Sequence, residues 1–202
     1  MSEEAPIVRQ WVMGARDGDQ VAFSNLVEHY QHAVFNLAYR LLGEAQEAED
    51  AAQEAFLRAY ANLSRYDIDR PFKTWLLSIT SNHCIDRLRK RRLTWLSLED
   101  EALVPHPALV SAEPSPEEAF LDVERSHQLQ GLLAQIPPDY RTVVVLRYWY
   151  DMSYAEIAET LDTTESAVKS RLFRARQALG QLLEPAPSPN QAQAMRPAME
   201  GS

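Results

Sequence analysis

From Phe23 onward, apolar side chains recur at three- and four-residue steps: Phe23, Leu26, Val27, Tyr30, Val34, Leu37, Ala38 and Leu41. This is the period of a helix with one buried stripe, and it predicts a long amphipathic helix ending at Gly43, a residue suited to a helix C-terminus. A second helix is expected from about Glu47, burying Ala51, Ala55 and Leu57 or their neighbours and ending before Ser64–Arg70. A third begins at Pro71, where a missing backbone donor goes unnoticed in the first turn, and runs into the basic stretch Arg87–Arg92.

The pattern resumes near Pro116 with Phe120, Leu129, Leu132, Leu133 and Ile136 close to one stripe, and Pro137–Pro138 ends that helix and starts the next. The run from Tyr140 to Tyr150 is rich in valine, which alone favours a strand. Its neighbours are helical and no other segment offers it a strand partner, so it is read as helix. Ser153 and Glu156 have capping-box spacing, and Tyr154, Ile157, Ala158 and Leu161 follow as one stripe. Asp162 stands at a turn where a left-handed conformation is needed, and Thr163 or Thr164 caps a last helix that packs Val168, Leu172, Ala175 and Leu179 inward. The expected fold is all-α, with two small helical domains: a three-to-four-helix bundle and a helix-turn-helix unit.

Charge separates the two. Between Ser97 and Glu124 there are eight acidic residues (Glu99, Asp100, Glu101, Glu113, Glu117, Glu118, Asp122, Glu124) and no Lys or Arg, and Pro105, Pro107, Pro114 and Pro116 resist helix there. The division expected is residues 7–93, a linker over 94–116, a second domain over 117–184 and a disordered tail over 185–202, rich in Pro and Ala with few large apolar side chains. The whole chain of 202 residues carries a formal net charge of -9.

Against that acidity, the last helix presents Ser166, Lys169, Ser170, Phe173, Arg174 and Gln177 opposite its apolar stripe, with Arg171 and Arg176 on the flanks. Arginine suits guanine edges or phosphates, serine and glutamine suit bases, and an outward phenylalanine suits a thymine methyl. A solvated cationic surface accounts for the charges but poorly for Phe173 between serine and arginine, so DNA reading in a major groove is the better account. A second basic site joins Phe72, Trp75 and Asn82 to Arg87, Arg89, Lys90, Arg91 and Arg92. Aromatics beside cations suit single-stranded nucleic acid, although the same aromatics can fill a core and the same cations can end a helix.

At this point the chain resembles the extracytoplasmic-function group of bacterial sigma factors, the two-domain initiation subunits of RNA polymerase. The resemblance spans about Val8 to Leu183 and rests on four stretches in order: Arg16–Tyr30, Glu47–Tyr60, Phe72–Arg92 and Ser153–Arg176. It implies that Asp50, Gln53, Glu54 and Phe56 dock on the clamp helices of the polymerase's largest subunit. It further implies a pocket for a flipped base in Ser64–Arg70, and −10 contacts from Ser64, Tyr66, Asp67, Arg70, Lys73, Asn82, Asp86, Arg87, Arg89 and Lys90. The −35 contacts fall on Lys169, Ser170, Phe173 and Arg174, and the acidic linker matches the segment threaded through the RNA path. Promoter DNA, core polymerase and an anti-sigma protein are the partners implied. The chain departs from the family pattern at His83, usually aliphatic, at Arg87, often aromatic, and at Asp162, usually glycine.

Other readings fit less well. An autonomous helix-turn-helix regulator needs a dimer interface to match two half-sites, and no coiled coil is evident. A protein that only occludes polymerase has no use for Ser170, Phe173 and Arg174. No glycine-rich phosphate loop, nucleophile elbow or metal-ligand spacing appears, so neither an enzyme, a cofactor nor a metal is expected. The lone Cys84 rules out an internal disulfide and reads as a packed residue, and no leader or membrane-length apolar run is seen, which points to the cytoplasm.

Overall fold

The structure is a computed structural model that describes residues 6–97 and 127–183, with side chains to residue 91 in the first of these segments. Most of the expected linker, Phe120 and the C-terminal tail lie outside the described residues. Among the described residues every regular element is helical: α1 (Pro6–Arg16), α2 (Gln20–Leu42), α3 (Ala45–Asn62), α4 (Phe72–Ser97), α5 (residues 127–135), α6 (Pro138–Trp149), α7 (Tyr154–Thr160) and α8 (Glu165–Leu183), plus a 3-10 turn at Leu63–Arg65.

The first four helices form a bundle around α2. Asp19 caps α2 by accepting from the backbone N–H of Val21 and Ala22, and Gly43 closes it at φ 84° while donating to the carbonyl of Tyr39. The α3 helix presents Ala48, Ala51, Ala52, Ala55 and Ala59 to α2 and α4, and these small side chains let the helices approach closely. Of the residues expected on the buried side, Ala51 and Ala55 are inside, and in place of Leu57, which is 66% exposed, its neighbour Ala59 is buried. Leu57 lies two residues beyond Ala55, about 200° around the helix, so the alanine stripe itself turns it outward. The additional helix α1 packs on α2 through Val8, Val12 and Ala15. Pro71 immediately precedes α4 rather than opening it, and its carbonyl accepts from the N–H of Trp75. The α4 helix continues to Ser97, into the stretch expected to be linker.

In the second half, α6 is helical as read, and the capping box at Ser153 and Glu156 starts α7. Asp162 turns the chain at φ 47°, and the Thr164 hydroxyl accepts from Ala167 N–H to cap α8. Val168, Leu172 and Ala175 are buried on the inner side of α8, and Leu179 is half-buried.

The halves are not separate. Leu37, Leu41, Leu42, Leu77 and Cys84 share one core with Leu133, Ile136, Val144, Leu146, Met152 and Ile157. The C-terminal end of α2 is the joint. The second half donates to its last carbonyls: Gln130 Nε2 to Tyr39, which also accepts from Gly43 N–H, at 3.0 Å and to Arg40 at 3.3 Å, and the buried Arg141 to Leu41. The same guanidinium donates to Ala134 at 3.0 Å and Ile136 at 3.5 Å at the end of α5. Burial lowers the Arg141 pKa to about 10.

Candidate nucleic-acid interface

The outer side of α8 is built as its sequence requires. With Val168, Leu172 and Ala175 inside, the 100° step per residue leaves Ser166, Lys169, Ser170, Phe173, Arg174 and Gln177 exposed, Phe173 at 59%. Arg171, half-buried, lies at the edge that faces the first half. Two side chains of this face are braced from behind. Arg174 Nη1 donates to the Tyr140 hydroxyl at 3.4 Å, a bond that raises the guanidinium pKa further. Lys169 sits 5.6 Å from the centre of the Tyr154 ring and 3.8 Å from Glu165.

The second group of candidates divides. Ser64, Asp67 and Arg70 are exposed around a tight loop in which Asp67 Oδ1 accepts from Asp69 N–H at 3.1 Å and the Asp67 carbonyl accepts from Arg70 N–H at 3.2 Å. Tyr66 points the other way. It is 3% exposed, its hydroxyl donates to the Arg70 carbonyl, and its ring packs 5.5 Å from Phe72 and 4.7 Å from Trp75. Phe72 is fully buried, so of the two roles open to it core packing applies, whereas Trp75 is half-buried. Tyr66 thus braces the loop from inside.

Along α4, Lys73, Asn82, Asp86, Arg89 and Lys90 are exposed. Arg87 and Arg91 both turn to Glu47 in the first turn of α3, Arg87 at 3.8 Å. His83 is half-buried between Arg58, Glu54, Arg87 and Asp86, and burial is the largest cause of its lowered pKa. It is held neutral near pH 7.

On α3, Asp50 and Gln53 are exposed, Glu54 is bonded by Arg58 Nε at 2.7 Å, which lowers its pKa, and Phe56 is half-buried. Gln53 and Phe56 border an apolar groove of about 560 Å³ between α2 and α3, completed by Phe23, Val27, Leu57 and Tyr60. Sequence reasoning missed this groove. Its signal was available in the apolar residues of α3 that fall off the alanine stripe.

An outward helix bearing serine, phenylalanine and arginine, backed by a capping-box helix and joined to a bundle with a second basic face, defines a two-domain DNA-reading protein. Comparison narrows the class. The chain matches Sigma-70 region 2 over residues 26–94 and Sigma-70, region 4 over residues 126–179. It is 40% identical over 177 residues to the ECF RNA polymerase sigma factor SigW of Bacillus subtilis, covering 86% of this chain and 95% of that one. It is 36% identical over 181 residues to the RNA polymerase sigma-H factor of Pseudomonas aeruginosa, covering 88% and 94%. The solved structure of CnrH in complex with the cytosolic domain of CnrY is similar, with a TM-score of 0.64 and 28% identity over 88% of this chain and 97% of that one. The chain belongs to the ECF RNA polymerase sigma factors and acts in promoter-specific transcription initiation. Sigma factors are non-catalytic initiation factors. Among the described residues no helix is long and apolar enough to cross a membrane.

Proposed function

We propose that residues 7–93 bind core polymerase and the −10 element, that residues 94–116 link, that residues 117–184 read the −35 element, and that residues 185–202 are a tail outside both domains. The observation that carries this reading is the split of α8: an apolar side holding it to α6 and α7, and an outer side carrying every candidate −35 side chain except the edge residue Arg171. Arg174, Lys169 and Arg171 meet guanine edges and phosphates, Ser166, Ser170 and Gln177 meet bases or phosphates, and Phe173 meets a thymine methyl.

On the other face, Lys73, Asn82, Asp86, Arg87, Arg89 and Lys90 approach the −10 strand, and Ser64, Asp67 and Arg70 form the rim of a pocket for an extruded base, with Tyr66 as its internal support. Asp50, Gln53, Glu54 and Phe56 dock on the polymerase clamp helices, and the apolar groove beside Phe56 widens that contact. The protein contributes recognition and no chemistry of its own, and it works in the cytoplasm with the polymerase. An anti-sigma protein is part of this reading, in keeping with the solved complex of CnrH with the cytosolic domain of CnrY.

The test is binding of a fork template, duplex at −35 and single-stranded at −10, with and without core polymerase. A sequence-specific complex that needs core and is lost in Arg174→Ala supports the assignment. Binding by the chain alone that core leaves unchanged rejects it in favour of an autonomous regulator.

A further inference from the structure

We propose that Glu47, at the start of α3, is a positioning residue for the −10 strand: it gathers Arg87 and Arg91 of α4 into one site for a backbone phosphodiester. The inference rests on the −10 assignment above and adds to it two residues, Glu47 and Arg91, that have no role in it. Arg87 Nη2 lies 3.8 Å from Glu47 Oε1, and Arg91 Nη2 is bonded to the same oxygen. One carboxylate oxygen on one helix thus holds two guanidinium groups of another.

The sequence builds this meeting from both sides. Arg87 and Arg91 are four residues apart, so they stand one turn above each other on one face of α4. Two like charges at that spacing repel and, left to themselves, splay apart. Glu47 stands in the first turn of α3, where the helix dipole favours a negative charge, and its backbone N–H is fixed by the cap, donating to Glu44 Oε2 at 3.0 Å. Its side chain is only 18% exposed, against 32% for Arg87 and 44% for Arg91. The carboxylate is therefore the fixed post, and the longer, more exposed arginines are what it fixes. Glu47 Oε2 is buried with no hydrogen-bond partner among the described residues, which leaves its charge to be offset through Oε1 by the two arginines.

The arrangement suits a phosphate. Each guanidinium meets Glu47 through Nη2, and a planar guanidinium carries further donors on Nη1 and Nε. Two cations and one anion leave the site positive, and it accepts a phosphodiester without ordering either side chain anew. Magnitudes decide the sign of the effect of Glu47. A carboxylate about 8 Å from a phosphate in water weakens binding by about twofold. Two arginines that must be ordered during binding weaken it by about tenfold. Positioning wins by about fivefold, so a residue of the same charge sign as DNA strengthens the contact with it.

The test uses the full chain assembled with core polymerase and the fork template, single-stranded at −10. Glu47→Gln keeps the size of the side chain and removes its charge. It is expected to weaken the complex about fivefold relative to Glu28→Gln, an exposed site on α2 with the same change in net charge, whereas charge alone predicts tightening. In the Arg87→Gln/Arg91→Gln background, Glu47→Gln is expected to cause no further loss, since residues that act through one another are not additive. Titration with core in the absence of template is expected to be unchanged by Glu47→Gln, a readout that damage to α3 or α4 would move. Binding of Glu47→Gln as tight as that of Glu28→Gln or tighter, the same loss in the arginine-free background, or equal losses for core and for template overturns the proposal. If the unaltered chain forms no sequence-specific fork complex, or Arg87→Gln/Arg91→Gln binds the template as the unaltered chain does, the −10 assignment itself fails and takes the proposal with it.

Discussion

The Arg174 guanidinium donates to the Tyr140 hydroxyl at 3.4 Å, tying the outer side of α8 to α6 behind it. The contact orients a long side chain that otherwise samples many rotamers, and both ends remain accessible to DNA. Arg174→Ala is expected to weaken −35 discrimination by on the order of tenfold or more, the worth of a bidentate arginine contact. Tyr140→Phe, which removes only the brace, is expected to lower −35 affinity by about threefold or less, in line with one exposed hydrogen bond. Fork templates that differ only at −35 measure both, and −10 binding should stay constant.

Leu57 and Tyr60 face solvent beside Phe56, at 66% and 47% exposure. Leu57→Asp is expected to reduce affinity for core polymerase by tenfold or more while stability stays within about 0.5 kcal/mol, as for other exposed sites. Fluorescence titration with core and thermal unfolding separate the two effects. An unchanged core affinity removes the groove from the docking surface.

Arg141 reaches carbonyls at the ends of two helices from a position 7% exposed. Arg141→Met is expected to destabilise the chain by about 3 kcal/mol, since the carbonyls of Leu41 and Ala134 lose a charged donor in a dry setting. Urea denaturation checks this, and the loss should be largest for probes placed in α5 and α6.

The Ser153–Glu156 box gives a pH signature. The Ser153 hydroxyl and, after it, the Ser153 N–H, from which the Glu156 carboxylate accepts at 2.7 Å, hold the Glu156 pKa below the ordinary 4.5. A folded-state pKa that is depressed stabilises above the unfolded value and loses that contribution as pH falls through the folded one. The stability advantage of the natural chain over Glu156→Gln is therefore expected to be full near pH 6 and to vanish in the acid range below 4.5. Ser153→Ala is expected to cost about 1 kcal/mol at neutral pH. Thermal unfolding across this range gives both curves.

Cys84 is fully buried, and burial pushes its thiol up to about 12. Such a thiol stays protonated and inaccessible, so a disulfide reagent at pH 8 should titrate it only after denaturation. Rapid reaction in the native chain would reopen a redox role.

The sequence by itself determined what depends on neighbours within a few positions. The α2 stripe, the Gly43 stop, the capping box, the left-handed Asp162 and the outward Phe173 are set by periodicity and local hydrogen bonding, and the structure agrees with each. The valine-rich α6 was legible for a different reason, since a strand without a partner leaves its backbone unpaired. Tertiary structure decided the rest. Leu57 lies outside and Tyr66 inside because the alanine stripe and the Phe72–Trp75 cluster had first claim on the interior. The packing of the second half on the first depends on Arg141 meeting Leu41 and Tyr150 meeting Ala33, pairs 100 and 117 residues apart. No local pattern encodes such a meeting, because it follows from where two helix ends and one buried hydroxyl come to lie after each half has packed.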